Sequence, residues 1–158
     1  MTPRYKPNVT VACIIEAQGR FLIVEELIQG KQRYNQPAGH LEHGESLLQA
    51  CQREVREETG LEIIPQGLTG IYQFSANDSL AFLRFTFHVA LNDCLPAQPQ
   101  DPIIKDTHWL IYAEISALGN SLRSPLVLSC LDDFLHKTHY PLQVLNDDYL
   151  KLAPNNNA

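Results

Sequence analysis

Residues 39–61 read GHLEHGESLLQACQREVREETGL, and the reading of the whole chain turns on that stretch. Ser46-Leu47-Leu48-Gln49 matches a capping box, in which a hydroxyl and an amide side chain satisfy backbone amides that a first helical turn leaves unpaired. The spacing predicts a helix from Ser46 to Thr59, stopped by Gly60 in a left-handed conformation. Around its axis Glu54 stands three residues from Glu57 and four from Glu58, so the three carboxylates share or border one face. Like charges so placed repel, by roughly tenths of a kcal/mol on a solvated helix and by more as the face becomes enclosed, unless a cation sits among them. Donors that are all hard oxygens, with no His or Cys among them, suit Mg²⁺ or Mn²⁺ rather than zinc. Three glutamates taken alone also fit an exposed acidic helix face, which is ordinary surface composition.

Working outward, residues 9–17 (VTVACIIEA) and 20–26 (RFLIVEE) are β-branched runs joined by Gln18-Gly19, the pattern of a hairpin. Gln36-Pro37-Ala38-Gly39 breaks regularity before the helix. Residues 68–75 and 80–91 predict two further strands around the turn-prone Ala76-Asn77-Asp78-Ser79, and a short strand is expected near residues 108–111. Between them, residues 96–102 are a Pro- and Gln-rich loop. A second helix is expected from Ser124 to about Thr138, with Pro125 at its first position, and the tail ending Pro154-Asn155-Asn156-Asn157-Ala158 is expected to fray. The fold class is therefore α+β, a mixed sheet flanked by two helices. No repeat or long linker divides the chain, so residues 1–158 are read as one domain with a core over about 7–145.

Composition limits the partners. A chain of 158 residues with 44% hydrophobic content can bury one continuous core. Its formal charge of −6 and lack of a Lys/Arg run argue against long nucleic acid, whose binding depends on displacing counterions from a phosphate backbone. A small phosphate ester remains open, since it can arrive partly neutralised by Mg²⁺. The scattered Cys13, Cys51, Cys94 and Cys130 show neither a C-x-x-C pair nor zinc-finger spacing and read as buried thiols. The N-terminus lacks the apolar stretch of a secretory signal, and no run approaches the roughly 18 apolar residues of a membrane helix. No membrane and a cytoplasmic location are the expectations.

Position for position, residues 39–61 resemble the Nudix signature G-x5-E-x7-R-E-U-x-E-E-x-G-U, where U is a bulky aliphatic residue. The fixed positions are Gly39, Glu45, Arg53, Glu54, Glu57, Glu58 and Gly60, with Val55 and Leu61 at the aliphatic sites. At about one-in-fifteen usage per residue, seven such matches coincide on the order of once in 10⁸ windows, which displaces the acidic-surface reading. The phrases VTVACII, YNQPAGHLEHGESL, FLRFTF and LRSPLV, in this order, are similar to the phosphatase NudJ subfamily of bacterial Nudix enzymes, from about Pro7 to Leu142.

This resemblance implies a Nudix fold, a mixed sheet sandwiched between helices, with the signature as a metal-bearing loop-helix-loop. Carried onto this chain, it implies that Glu54, Glu57 and Glu58, joined by the backbone carbonyl of Ala38, ligate divalent cations. Arg53 pairs with Glu45 to hold the loop, and Val55 and Leu61 pack the helix on the sheet. It further implies hydrolysis of nucleoside triphosphates and diphosphates, of thiamine pyrophosphate and of hydroxymethylpyrimidine pyrophosphate, with release of orthophosphate. Oxidised nucleotides or nucleotide sugars are the alternative substrates. A silent nucleotide-sensing Nudix domain is a further alternative, against which the retention of all four signature carboxylates counts.

The base that deprotonates water is either a signature glutamate or Asp101, which lies in a loop where some Nudix enzymes place an auxiliary acid, although loop aspartates ordinarily serve turns. For substrate, Arg84 points either to solvent or into the pocket. Arg123, before Ser124-Pro125, either reaches a phosphate or is a plain surface arginine. Tyr34, Phe74 and Trp109 either stack on a ring or pack in the core. His40 and His43 flank the signature loop without ligand spacing. The molecule is expected to be a monomer or homodimer.

Overall fold

A computed structural model describes residues 2–151. The expected fraying at Pro154–Ala158 lies outside the described residues. The chain runs β1 (Asn8–Ala17), β2 (Arg20–Ile28), β3 (Lys31–Asn35), β4 (Ala38–His40), α1 (Leu47–Thr59), β5 (Gly67–Ser75), β6 (Ala81–Ala90), β7 (Ile104–Leu110), α2 (Tyr112–Ala117) and α3 (Leu126–His136). The seven strands form one mixed sheet in the order β3-β2-β1-β6-β5, with β4 paired to β1 and β7 to β2. It is mixed because β1 and β6 run parallel over nine register pairs, from Asn8↔Phe82 to Glu16↔Ala90, whereas its other pairings are antiparallel. This is the α+β architecture expected, a mixed sheet with helices packed against it.

Alternation along β1 divides the core. Val11, Cys13 and Ile15 face α1, where they meet Ala50, Cys51 and Val55, with Leu61 packed at the margin. Ile14 faces the other way, with Phe21 and Ile23, onto Ile115 of α2 and Val127, Cys130 and Leu131 of α3. Apolar side chains on both faces of the sheet are thus removed from water, which is the main favourable contribution to folding.

Four expectations need correction. Among the described residues three α-helices cover the sheet rather than two: α2 is only six residues long, and its start is marked by Glu114 alone, whose Oε1 accepts the Ile111 amide at 3.1 Å. The supposed break at Ala38-Gly39 is the strand β4, held because Thr10, Val11 and Ala12 of β1 pair with His40, Gly39 and Ala38. The strand near His108 begins earlier, at Ile104, with a register shift at Glu25/Glu26 of its partner. Cys94 is half-buried, unlike the other three cysteines.

Candidate active site

Helix α1 starts as its sequence requires. Ser46 Oγ accepts the Gln49 amide at 3.1 Å, and Gln49 Oε1 accepts the Ser46 amide at 2.9 Å. Gly60 ends it at φ 74°, its amide donating to Arg56 O. The far end is closed from outside by the β6–β7 loop. Gln98 N donates to Thr59 O, and Gln100 N and Asp101 N both donate to Glu57 O, each at 2.8 Å. Carbonyls that a helix end leaves unpaired are thereby satisfied, and Asp101 is brought beside the glutamates.

Arg53 organises the signature. Its Nε and Nη2 donate to the two oxygens of Glu45 at 2.9 and 2.7 Å, Nη2 also donates to His40 O at 2.8 Å, and Nη1 donates to Glu54 at 2.7 Å and Glu57 at 3.3 Å. A planar fork fixes carboxylate orientation in a way an ammonium cannot. The hydrogen bond from Arg53 holds the Glu45 carboxyl below its usual value, and the bond to Glu45 in turn raises the already high pKa of Arg53. Gly39 makes the packing possible: a Cβ there would overlap the Glu54 carboxylate.

Glu58 occupies the innermost place. It is 3% exposed, and its Oε1 accepts the Ala38 amide at 2.6 Å. Burial pushes the carboxyl up to about 9, the Ala38 amide opposes this, and the charges of Glu26, Glu54 and Asp101 add to the rise. Burial also raises Glu54, against the pull of Arg53. As they stand, no three acidic, His or Cys side chains among the described residues enclose an ion. The chemistry nevertheless fits one: a buried carboxylate with a single amide partner, ringed by further carboxylates, is stable as an anion only beside a positive charge, and every donor is a hard oxygen.

The other candidates sort by position. Arg84 does not reach solvent. It is 5% exposed, with Nη2 donating to Gln36 Oε1 at 2.8 Å and Nε to Thr86 Oγ1 at 3.3 Å, and burial lowers its pKa. Gln36 Nε2 in turn donates to Val127 O of α3, so Arg84 braces the residues leading into β4. The Tyr34 hydroxyl donates to Glu25 Oε1 at 2.7 Å, while its carbonyl accepts the Arg123 amide at 2.8 Å. Arg123 is half exposed, with its Nε 4.0 Å from Glu26. Trp109 packs on the α1-side core, its Nε1 donating to Leu95 O, and Phe74 stacks on Phe82. His40 enters through its carbonyl alone, on Arg53.

Glu26 is a site residue that the sequence does not single out. It follows Val24 by two residues on β2, so it leaves the sheet on the face of the buried Leu22 and Val24. An apolar run ending in two adjacent acids is the available signal, because alternation must send one of them inward.

A model of the NUDIX domain matches residues 4–128. The chain belongs to the Nudix family. It is 45% identical to phosphatase NudJ of Escherichia coli K12 over 143 residues, 90% of this chain and 93% of that protein. A Nudix hydrolase from Nitrosomonas europaea superposes with a TM-score of 0.82 at 45% identity, covering 89% of this chain and 97% of that one. The Nudix domain of Shewanella oneidensis NrtR, solved with ADP ribose, shares the fold at TM-score 0.71 and 14% identity, covering 84% of this chain and 90% of that one. This Nudix protein is accordingly a phosphohydrolase acting on pyrophosphate bonds, of NudJ-like kind, from a family that generally uses divalent metals. No described helix is long and apolar enough to cross a membrane.

Proposed function

We propose that this Nudix hydrolase uses Mg²⁺, with Mn²⁺ as a substitute, to remove terminal phosphate from nucleoside tri- and diphosphates and from thiamine-type pyrophosphates, thiamine pyrophosphate and hydroxymethylpyrimidine pyrophosphate among them. The observation that carries this reading is kinship to a phosphatase at 45% identity over nine-tenths of the chain, with all four signature carboxylates in place.

Glu54, Glu57, Glu58 and the carbonyl of Ala38 would hold the cation. When bound, it neutralises phosphate oxygens and acidifies water. The chain's own groups do the rest. Arg53 fixes Glu45 and Glu54, and through the His40 carbonyl it fixes the loop before the helix. Asp101 is the proposed proton acceptor for the attacking water: its Oδ1 accepts the Ile103 amide at 2.9 Å, which orients Oδ2. Arg123, half exposed, would meet an outer phosphate. Arg84 and Tyr34 act at one remove, Arg84 through Gln36 and Tyr34 through the backbone of Arg123.

A phosphate chain can lie in several registers across one carboxylate platform, and the register decides which phosphorus faces the water. The reading expects a nucleoside triphosphate to yield orthophosphate and diphosphate first, with monophosphate later. Phosphorus NMR of a time course in ¹⁸O-labelled water follows this directly. Pyrophosphate as the first product would return the enzyme to the broader class acting on oxidised nucleotides or nucleotide sugars.

A further inference from the structure

Gln36 is a polar side chain at one of the most enclosed positions of the molecule, 1% exposed. Both ends of its amide are used: Nε2 donates to Val127 O of α3 at 2.9 Å, and Oε1 accepts from Arg84 Nη2 of β6 at 2.8 Å. Arg84 also donates to Thr86 Oγ1, which lies 3.3 Å from Cys130 Sγ of α3. Among the described residues no carboxylate pairs with Arg84, so its partners are neutral oxygens. Burying a guanidinium on such partners does less for stability than apolar residues of the same volume would, whereas a fully satisfied polar network fixes one arrangement of its members.

What that arrangement fixes follows from the next two residues. β1 and β2 pair at Glu16–Ala17 and then part, β4 following β1 from Thr10 to Ala12 and β3 following β2 from Val24 onward. Residues 36–37 join β3 to β4 across the opening between the two arms. Gln36 therefore reaches α3 on one face of the sheet, while the residue two further on reaches α1 on the other: Ala38 N donates to Glu58 Oε1 at 2.6 Å. Between them Pro37 O accepts from Cys13 N at 3.0 Å. Pro37 stiffens the link, since its ring fixes its own φ and restricts the residue before it to extended backbone.

We propose that Gln36 is a positioning residue for phosphoanhydride hydrolysis. Clamped between Arg84 and the first turn of α3, it sets the Ala38 amide against the Glu58 carboxylate, and so ties the innermost acid of the helix platform to a helix on the opposite face of the sheet. Gln36 lies outside the signature. The proposal rests on the reading of Glu58 as part of that platform and adds what holds it in place.

The double variant Arg84→Met/Gln36→Leu removes the polar clamp and fills its volume, so its melting temperature should stay near that of wild type. Its kcat should nonetheless fall about tenfold or more, with KM little changed. In the metal-free full chain, the ¹⁵N-resolved NMR signal of the Ala38 amide should shift and exchange faster with solvent. Should the double variant not fold, Gln36→Glu serves in its place: it keeps an acceptor for Arg84, loses the donor to Val127 O, and should show the same two effects to a smaller degree. Wild-type kcat in a folded variant, or an Ala38 signal that does not move, overturns the role of Gln36. Wild-type turnover by Glu58→Gln overturns instead the place of Glu58 in the platform, and the Ala38 signal then still decides whether Gln36 sets that amide.

Discussion

Arg53 grips Glu45 through two parallel hydrogen bonds, Nε to Oε2 at 2.9 Å and Nη2 to Oε1 at 2.7 Å, while its third nitrogen reaches Glu54. One planar group thus sets the position of the loop before the helix and of an acid on it. Arg53→Lys keeps the charge and loses the fork. Turnover should fall roughly 10–100-fold, with Mg²⁺ affinity little changed. If saturating Mg²⁺ restores the full rate, Arg53 matters for affinity and not for positioning.

Glu57 is the most open of the three helix glutamates, with 43% of its side chain exposed and a 3.3 Å contact to Arg53. Relieving one charge on a crowded acidic face should leave the melting temperature near that of the parent. Glu57→Gln should nonetheless remove most activity, at least about tenfold at limiting Mg²⁺. Wild-type turnover in this variant would refute the ligand role.

Gly39 has no room for a side chain, because a Cβ would overlap the Glu54 carboxylate. Gly39→Ala should cost about 1–3 kcal/mol through overpacking. Shortening the acid in the double variant Gly39→Ala/Glu54→Asp should recover part of that loss. Chemical denaturation of the two variants and of Glu54→Asp alone measures the coupling, and strictly additive effects would show that the contact is not what forbids alanine.

In metal-free buffer, stability should depend on Glu58. Its carboxyl has an ordinary value of 4.5 and is pushed up to about 9 by burial, with Glu26, Glu54 and Asp101 adding to the rise. Below 4.5 both folded and unfolded chains hold the proton. Between 4.5 and about 9 only the folded chain holds it, so unfolding releases a proton and stability falls as pH rises. Melts in EDTA from pH 5 to pH 9 should therefore decline, and Glu58→Gln, which has nothing to ionise there, should decline less. Parallel profiles for the two proteins would show that Glu58 is not the titrating group.

The parts of the fold that the chain announces locally are legible in the residues themselves. The capping box at Ser46 and Gln49, the left-handed Gly60, the β-branched runs of β1 and β2 and the apolar, aromatic runs of β5 and β6 are local instructions, and each forms where its residues direct. Strand β3, KQRYN, has a polar composition because it lies at the sheet edge, where one side needs no partner and burial is partial. Strand β4 has three residues and exists because β1 offers its backbone, a nonlocal cause that no window of sequence contains. At the site, the Arg53–Glu45 pair is legible because the signature carries it. Arg84 is not, since Arg84, Thr86 and His88 alternate with Phe85, Phe87 and Val89, and the helices covering both faces bury both sets. Glu26 is hidden in the same way: which of two adjacent acids turns inward depends on the strand's register.

The β6–β7 loop has a consequence for how such a protein can change over generations. Gln98, Gln100 and Asp101 donate their amides to the last carbonyls of α1, and a Cβ placed on Gly60 would stand 2.5 Å from Gln98 O. The segment 98–101 is therefore a structural ending for the catalytic helix as well as a connection. An insertion within these four residues would unseat Asp101 and loosen the carbonyl of Glu57 together. A lineage drifting toward new substrates is thus held to a fixed count of residues from Gln98 to Asp101.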